Sequence, residues 1–353
     1  MNNKKSKRRL PAEWERQGGV QLTWPHGESD WAPYLDDITR TFIQLAKAIA
    51  RFEPVLIVVP DDEHIRSLQT QLPERNIIFV PCPSNDTWAR DHAFITVEEC
   101  DGTHGEKTFR LLDFCFNGWG DKFPAALDNA INKRLFDSGV FNGAYEGHLD
   151  FVLEGGSIES DGRGTVFTTA QCLLAPHRNQ PLHRNEIDEQ LCQRLGARRV
   201  VWLDHGNLIG DDTDGHIDTI VRCAPDDTLI YIKCNDEKDA HYEDFLRLEQ
   251  QLETLRTTDG LPYRLLPLPF PDAICEDGER LPATYANFLI VNGAVICPTY
   301  AQPENDRAAL ETLQLAFPTH EIIGIDARTI IRQHGSIHCL TMQFPEGAIH
   351  TNP

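Results

Sequence analysis

Apolar residues recur at three- and four-residue spacing in five stretches of the chain: near 35–51 (Leu35, Ile38, Phe42, Leu45, Ile49), 124–136 (Leu127, Ile131, Leu135), 185–195 (Ile187, Leu191, Leu195), 239–256 (Tyr242, Phe245, Leu252, Leu255) and 305–317 (Leu310, Leu313, Phe317). That spacing lays one apolar stripe along a helix face, so five amphipathic helices against a core are predicted. Asn185 and Asn305 can N-cap two of them, and Gly196 stands where a left-handed residue would end the third.

Between these stretches lie short runs rich in β-branched and aromatic residues, among them Val55–Val59, Phe109–Phe114, Thr165–Thr169, Thr228–Lys233, Ala294–Pro298 and Ile337–Gln343. The pattern is α/β. Two or three strands accompany each helix at an average spacing of about 70 residues, which suggests a repeated strand–strand–helix–strand unit. An ordinary three-layer α/β domain is the alternative. No Ser/Gly linker or shift of composition divides the chain, so a single domain over 10–350 is expected after a flexible basic tail over 1–9 (Lys4, Lys5, Lys7, Arg8, Arg9).

Composition narrows the partners. The 353 residues are 41% hydrophobic and 25% charged, ordinary for a globular protein, and their net charge of −21 gives no advantage with a polyanion. Nucleic acid is therefore not an expected partner, whereas small cations would be drawn in. No run approaches the roughly 18 apolar residues of a membrane helix, and no apolar segment follows the basic start, so a cytoplasmic location and no membrane partner are expected. The ten cysteines form no C-x-x-C pair, which argues against a disulfide scaffold or a zinc ribbon.

Four segments are dense in chemically capable side chains: Asn85–His92 (NDTWARDH), Leu153–Ser157 (LEGGS), Asp211–Asp218 (DDTDGHID) and Gly335–Met342 (GSIHCLTM). Each sits at the edge of a predicted strand, where α/β scaffolds build sites. Cys339 is the best-placed thiol for a nucleophile, although on a strand the adjacent His338 would point to the opposite face. His216 and Asp218, two apart, share a face if extended and supply a base and a carboxylate. Their aspartates do not make a calcium loop, because the glycine falls at the wrong offset and no glutamate closes it. No H-x-x-x-H or H-E-x-x-H pairs the histidines for a metal. Trp88 and Asp91 offer an aromatic wall and a charged floor, though Arg90 beside Asp91 also reads as a simple ion pair; Glu154 precedes two glycines that either turn the chain or let a backbone approach. Together a Cys, a His and three carboxylates describe a pocket for a planar, cationic, electrophilic carbon.

In the order LPAEW (Leu10–Trp14), LTWP (Leu22–Pro25), WARD, LEGGS, TDGHID and GSIHCLTMQ, the chain resembles the agmatine deiminases and bacterial peptidylarginine-deiminase-like proteins of the guanidino-group-modifying superfamily. The resemblance covers nearly the whole chain. It implies a five-bladed α/β propeller, the pentein fold, with the site in a central channel. It also implies Cys339 as nucleophile, His216 as general acid/base, Glu154 as the acid that tunes the histidine, Asp91 and Asp218 as the guanidinium grip, and Trp88 and Trp24 as pocket lining. Members often continue WARD with a small residue and Gly-Pro, and carry more glycines before the nucleophile; here His92–Ala93–Phe94 and Gln333–His334–Gly335 stand instead, which bears on the substrate's tail.

The implied reaction is hydrolytic deimination of a small guanidine, agmatine to N-carbamoylputrescine and ammonia on the way to putrescine and the polyamines, through a covalent thiouronium on Cys339. It needs no metal or organic cofactor. An arginine deiminase acting on peptidyl or other guanidines, an enzyme that hydrolyses or transfers the amidino group, and a non-catalytic polyamine-binding protein are the rival readings. The last would not need Cys339 or His216. A homo-oligomer is compatible with the sequence.

Overall fold

All five amphipathic stretches are helices, Leu35–Ala50, Ala126–Asp137, Arg184–Leu195, Tyr242–Thr254 and Pro303–Ala316, in a computed structural model that describes residues 7–100 and 107–350. Their stripes face inward as the spacing requires: Ile38, Phe42, Leu45 and Ile49 of the first are fully buried. Each such side chain contributes roughly 1.5–3 kcal/mol by leaving water. Gly196 ends the third helix at φ 74°, a left-handed angle that glycine adopts without a Cβ penalty.

The caps differ from expectation. His183 and Gln302 are the N-caps, and Asn185 and Asn305 fall inside the first turns. The reason is local: Glu186 reaches back to the His183 N–H at 2.8 Å in a capping box, and Pro303 fixes the start of its helix. A sixth helix, Asp62–Gln69, has too short an apolar stripe to be read from spacing. It is nucleated by Asp61, which accepts the N–H groups of Glu63 and His64 at 2.8 and 3.0 Å.

The sheets repeat one topology five times. An antiparallel strand pair is followed by a helix that returns the chain to a third strand, parallel to the second. The units are Ile95–Cys100, Lys107–Cys115 and Ala144–Val152; Ile158–Ser160, Thr165–Thr169 and Arg199–Leu203; Val221–Ala224, Thr228–Lys233 and Arg264–Pro269; and Leu289–Val291, Ala294–Thr299 and Glu321–Asp326. The fifth is assembled from both ends of the chain. Thr341–Pro345 pairs antiparallel with Gln17–Thr23, which pairs parallel with Val55–Val59, and Ile77–Pro81 is added outside.

The basic run expected to fray is partly structured. Lys7–Arg9 is a strand antiparallel to Glu98–Cys100. Arg8 pairs with Glu99 and Glu146 at 2.9 and 2.8 Å, and Arg9 with Glu98 and Glu15, both at 2.5 Å. Neighbouring carboxylates hold these charges, which a solvated tail would leave free. Lys4 and Lys5 lie outside the described residues. All ten cysteines are free thiols, and among the described residues no helix is long and apolar enough to cross a membrane.

Candidate active site

Five short turns converge, each immediately before the first strand of a unit. The helical turn Ala89–His92 carries Asp91, the 3-10 turn Gly155–Ser157 follows Glu154, and the 3-10 turn Ile217–Thr219 follows His216 and carries Asp218. Asn287 precedes the strand from Leu289, and Cys339 precedes the strand from Thr341. His216 and Asp218 thus come together through a 3-10 turn in place of the extended segment. Cys339 likewise lies in a turn, because the last strand starts at Thr341, later than the apolar run suggested.

Gly156 is the point of convergence. A Cβ there would stand 2.5 Å from His216 Nδ1, 3.0 Å from Asp91 Oδ1 and 3.2 Å from Asp218 Oδ2, so only glycine lets the three functional groups meet over the backbone. The Gly156 N–H donates to Asp91 Oδ1 at 3.2 Å, and His216 Nδ1 lies 3.7 Å from the same oxygen. Cys339 Sγ is 3.9 Å from Asp218 Oδ2 and 3.3 Å from Asn287 Oδ1. Gly335 has a similar role for Trp88, whose ring occupies the space a Cβ would need.

Several atoms in this cluster are buried without a hydrogen-bond partner among the described residues: both ring nitrogens of His216, Asp218 Oδ1 and Glu154 Oε2. Buried polar atoms are normally satisfied, so these are the atoms of the cluster whose hydrogen bonds are not made within the described residues. Glu154 Oε1 accepts from Arg178 Nε at 2.7 Å. Glu154, Cys172 and His216 present ligand atoms within 4.8 Å of one another, so Glu154 does stand beside the histidine.

The electrostatics follow from burial and neighbours. Burial pushes the Asp91 carboxyl up, His216 opposes this, and Asp218 and Glu154 add to it, leaving it at about 6. Burial also acts to raise Asp218, but the hydrogen bond and charge of His338 hold it below the ordinary range. Burial disfavours the His216 imidazolium, yet Asp91 and Cys172 outweigh it and the imidazole is raised well above its usual value. The Cys339 thiol is pushed well above the ordinary thiol range by burial, Asp218 and Asp91. The resting cysteine is thus a neutral thiol, contrary to the activated thiolate expected of a nucleophile next to a base.

A cavity of about 20 Å3, lined by Asp86, Trp88, Asp91, Trp119, Asp212 and Cys339, opens over the cluster. Trp24 is not part of it: its ring is buried against Phe42 with centroids 5.4 Å apart, in the core under the first helix. Two contributors escape a reading by residue type. Trp119 donates its indole N–H to Asp91 Oδ2 at 3.0 Å, and its loop carries no His, Cys or Glu to single it out. Asn287 had a usable signal, since it stands two residues before a first strand, as Cys339 does.

Set against known families, residues 9–345 match the model of Porphyromonas-type peptidyl-arginine deiminase. The chain belongs to that family. A relative from Marinomonas sp. named "Putative agmatine deiminase" is 34% identical, over 96% of this chain and 94% of its own. Among solved structures, the "Putative Arginine Deiminase" of Porphyromonas gingivalis shares 47% identity at a TM-score of 0.90, covering 98% of this chain and all (100%) of that one. Agmatine deiminase of C. jejuni, a cysteine-to-serine variant with substrate bound, shares 36% identity at a TM-score of 0.89 over 99% of both chains. The family is one of enzymes, and this member is an enzyme of the agmatine deiminase kind.

Proposed function

We propose that this protein hydrolyses agmatine to N-carbamoylputrescine and ammonia, supplying a route to putrescine. The observation that carries the reading is the meeting of Asp91, Asp218 and His216 over Gly156 beside Cys339, where His216 and Asp218 Oδ1 have no hydrogen-bond partner among the described residues. Two carboxylates suit a planar guanidinium, which they grip by paired, charge-assisted hydrogen bonds. The bound cation reverses the field that keeps the Cys339 thiol neutral, so substrate binding itself favours the thiolate, the thiol proton passing to solvent and returning from it when product leaves.

The sulfur then attacks the central guanidinium carbon. The C–N bond breaks as His216 gives its proton to the departing nitrogen, which leaves as ammonia. Water, losing a proton to the now neutral His216, adds to the thiouronium carbon; the C–S bond breaks and the thiolate returns. Guanidinium and water become a ureido product and ammonium, and the enzyme is restored. Glu154 tunes His216, and Trp88 walls the site.

Agmatine is favoured over arginine by the acidic mouth. Asp30, Asp86 and Asp212 line the cavity beside Asp91, and they attract the terminal ammonium of agmatine but repel an α-carboxylate. The cavity has room for about one water, so its walls part to admit substrate. Peptidyl or free arginine is the second reading, supported by the family's description and by the 47% identical structure from P. gingivalis. The five repeated units are read as blades of a propeller around a central channel, forming one catalytic domain with the five turns at the channel; a cytoplasmic setting suits the free thiols.

A product assay across agmatine, free arginine and an arginyl peptide, following ammonia and ureido groups together, tests the reading. Agmatine is expected to give both at the highest kcat/KM. Equal or greater turnover of arginyl peptide would establish the second reading instead. Ligand binding without ammonia release would make the protein a guanidine-binding module.

A further inference from the structure

Asp218 is held from behind. His338 Nδ1 donates to Asp218 Oδ2 at 2.7 Å, and its Nε2 lies 2.7 Å from Glu13 Oε2 and 2.9 Å from Arg222 Nη2, leaving Asp218 Oδ1 as the oxygen without a hydrogen-bond partner among the described residues. Glu13 is fixed in turn by Arg222 Nη2 at 2.6 Å and by the Ile290 N–H, which reaches its other oxygen at 2.8 Å. Arg222 Nε donates to Glu159 Oε1 at 2.5 Å. His338 also carries Arg90, whose Nε donates to its carbonyl at 3.4 Å. Glu13, Glu159, His338 and Arg90 border a second cavity of about 520 Å3, and Cys339 does not line it.

An aspartate turns readily about its terminal torsion, so gripping a guanidinium in a defined geometry requires that the carboxylate be anchored. The two side chains of the His338–Cys339 pair diverge from one turn, the thiol toward the site cavity and the imidazole behind Asp218. Glu13 comes from the LPAEW segment, which no step of the reaction uses.

We propose that His338 is a positioning residue for the reaction at Cys339: it anchors Asp218 through Oδ2, the oxygen 3.9 Å from Cys339 Sγ, and so fixes the carboxylate that meets the guanidinium, and Glu13 holds the imidazole in that orientation. The proposal rests on the deiminase reading above and deepens it. The groups facing the ring are Asp218, Glu13 and Arg222, with Glu159 and Arg90 beyond them, and none has been assigned to substrate except Asp218.

Three replacements separate anchoring from bulk. In His338→Asn the amide can reproduce the Nδ1 donor toward Asp218; in His338→Gln it can reproduce only the Nε2 contact with Glu13; His338→Ala reproduces neither. With agmatine, His338→Asn is expected to keep kcat/KM within about tenfold of the unmodified enzyme, and the other two to lose about 100-fold, mostly through KM. The acid limb of the kcat/KM profile moves to higher pH in His338→Ala, because only the charges of His216 and Arg222 then oppose burial at Asp218. Glu13→Gln, which keeps size and a polar contact, is expected to lose about tenfold and carries the test if the His338 variants do not fold. The inference is overturned if Gln matches or exceeds Asn, if all the variants stay within about twofold, or if the acid limb does not move. An unmodified enzyme that releases no ammonia from any guanidine overturns the deiminase reading, and this inference with it.

Discussion

Two buried ionisable clusters stand back to back, and they treat their polar atoms in opposite ways. Behind Asp218, Arg222 spends its donors on Glu13, Glu159 and the carbonyls of Ala286 and Phe288, and the Cys223 N–H satisfies the second oxygen of Glu159 at 2.9 Å. In front of it, neither nitrogen of His216 and not Oδ1 of Asp218 has a hydrogen-bond partner among the described residues. Both clusters are fully buried. The difference is therefore not exposure but pairing: the donors of Arg222 are matched by carboxylates and carbonyls, whereas His216 and Asp218 Oδ1 are left for the guanidinium of the proposed reaction.

The sharpest break of this comparison is Cys339→Ala. Ammonia release from agmatine should fall by at least about 10^3-fold with circular dichroism and melting nearly unchanged, since the variant removes the proposed nucleophile and only a small side chain from the packing. Arg222→Ala should act chiefly on stability. It strands Glu13 and Glu159 and should cost about 3–5 kcal/mol in urea unfolding; a stability near that of the unmodified protein would remove the distinction between the clusters. Gly156→Ala sharpens it from the front side, because the new Cβ would stand 2.5 Å from His216 Nδ1. A loss of about 100-fold in kcat/KM with only about 1–3 kcal/mol of destabilisation is expected from such overpacking.

The smallest effect is a pH dependence with opposite signs for activity and stability. Asp91 titrates at about 6 in the fold, against about 3.9 when unfolded. A raised carboxyl contributes stability that is fully present below the unfolded value and is lost as pH rises through about 6. Relative to Asp91→Asn, the unmodified enzyme should therefore lose up to about 2–3 kcal/mol between acid and neutral pH. Its kcat/KM should rise over the same window, because the guanidinium needs the ionised form. Activity that falls from pH 5 to 7 would contradict Asp91 as one arm of the grip.

The contrast between the clusters also separates what could be read along the chain from what could not. His216, Asp218, Asp91, Glu154 and Cys339 stood out because their residue types cluster beside glycines at strand edges. Arg222 and Glu159 did not, for a strand alternating apolar and charged residues reads as half-exposed until both faces are found covered. Trp24 was placed in the site by its neighbours in sequence and belongs to the core by packing. Trp119 was passed over although it holds Asp91. Aromatic side chains serve both places, and periodicity alone does not distinguish them.

The order of residues by itself determined the five helices, the α/β class and most of the reactive side chains, since 3.6-residue spacing and local residue chemistry are short-range properties. Tertiary structure decided the rest: that the two chain ends share one sheet, that five turns distant in sequence meet over Gly156, and that burial among carboxylates leaves the Cys339 thiol neutral at rest. Proximity, desolvation and charge coupling depend on distances between segments far apart along the chain, and those distances exist only once the chain has folded.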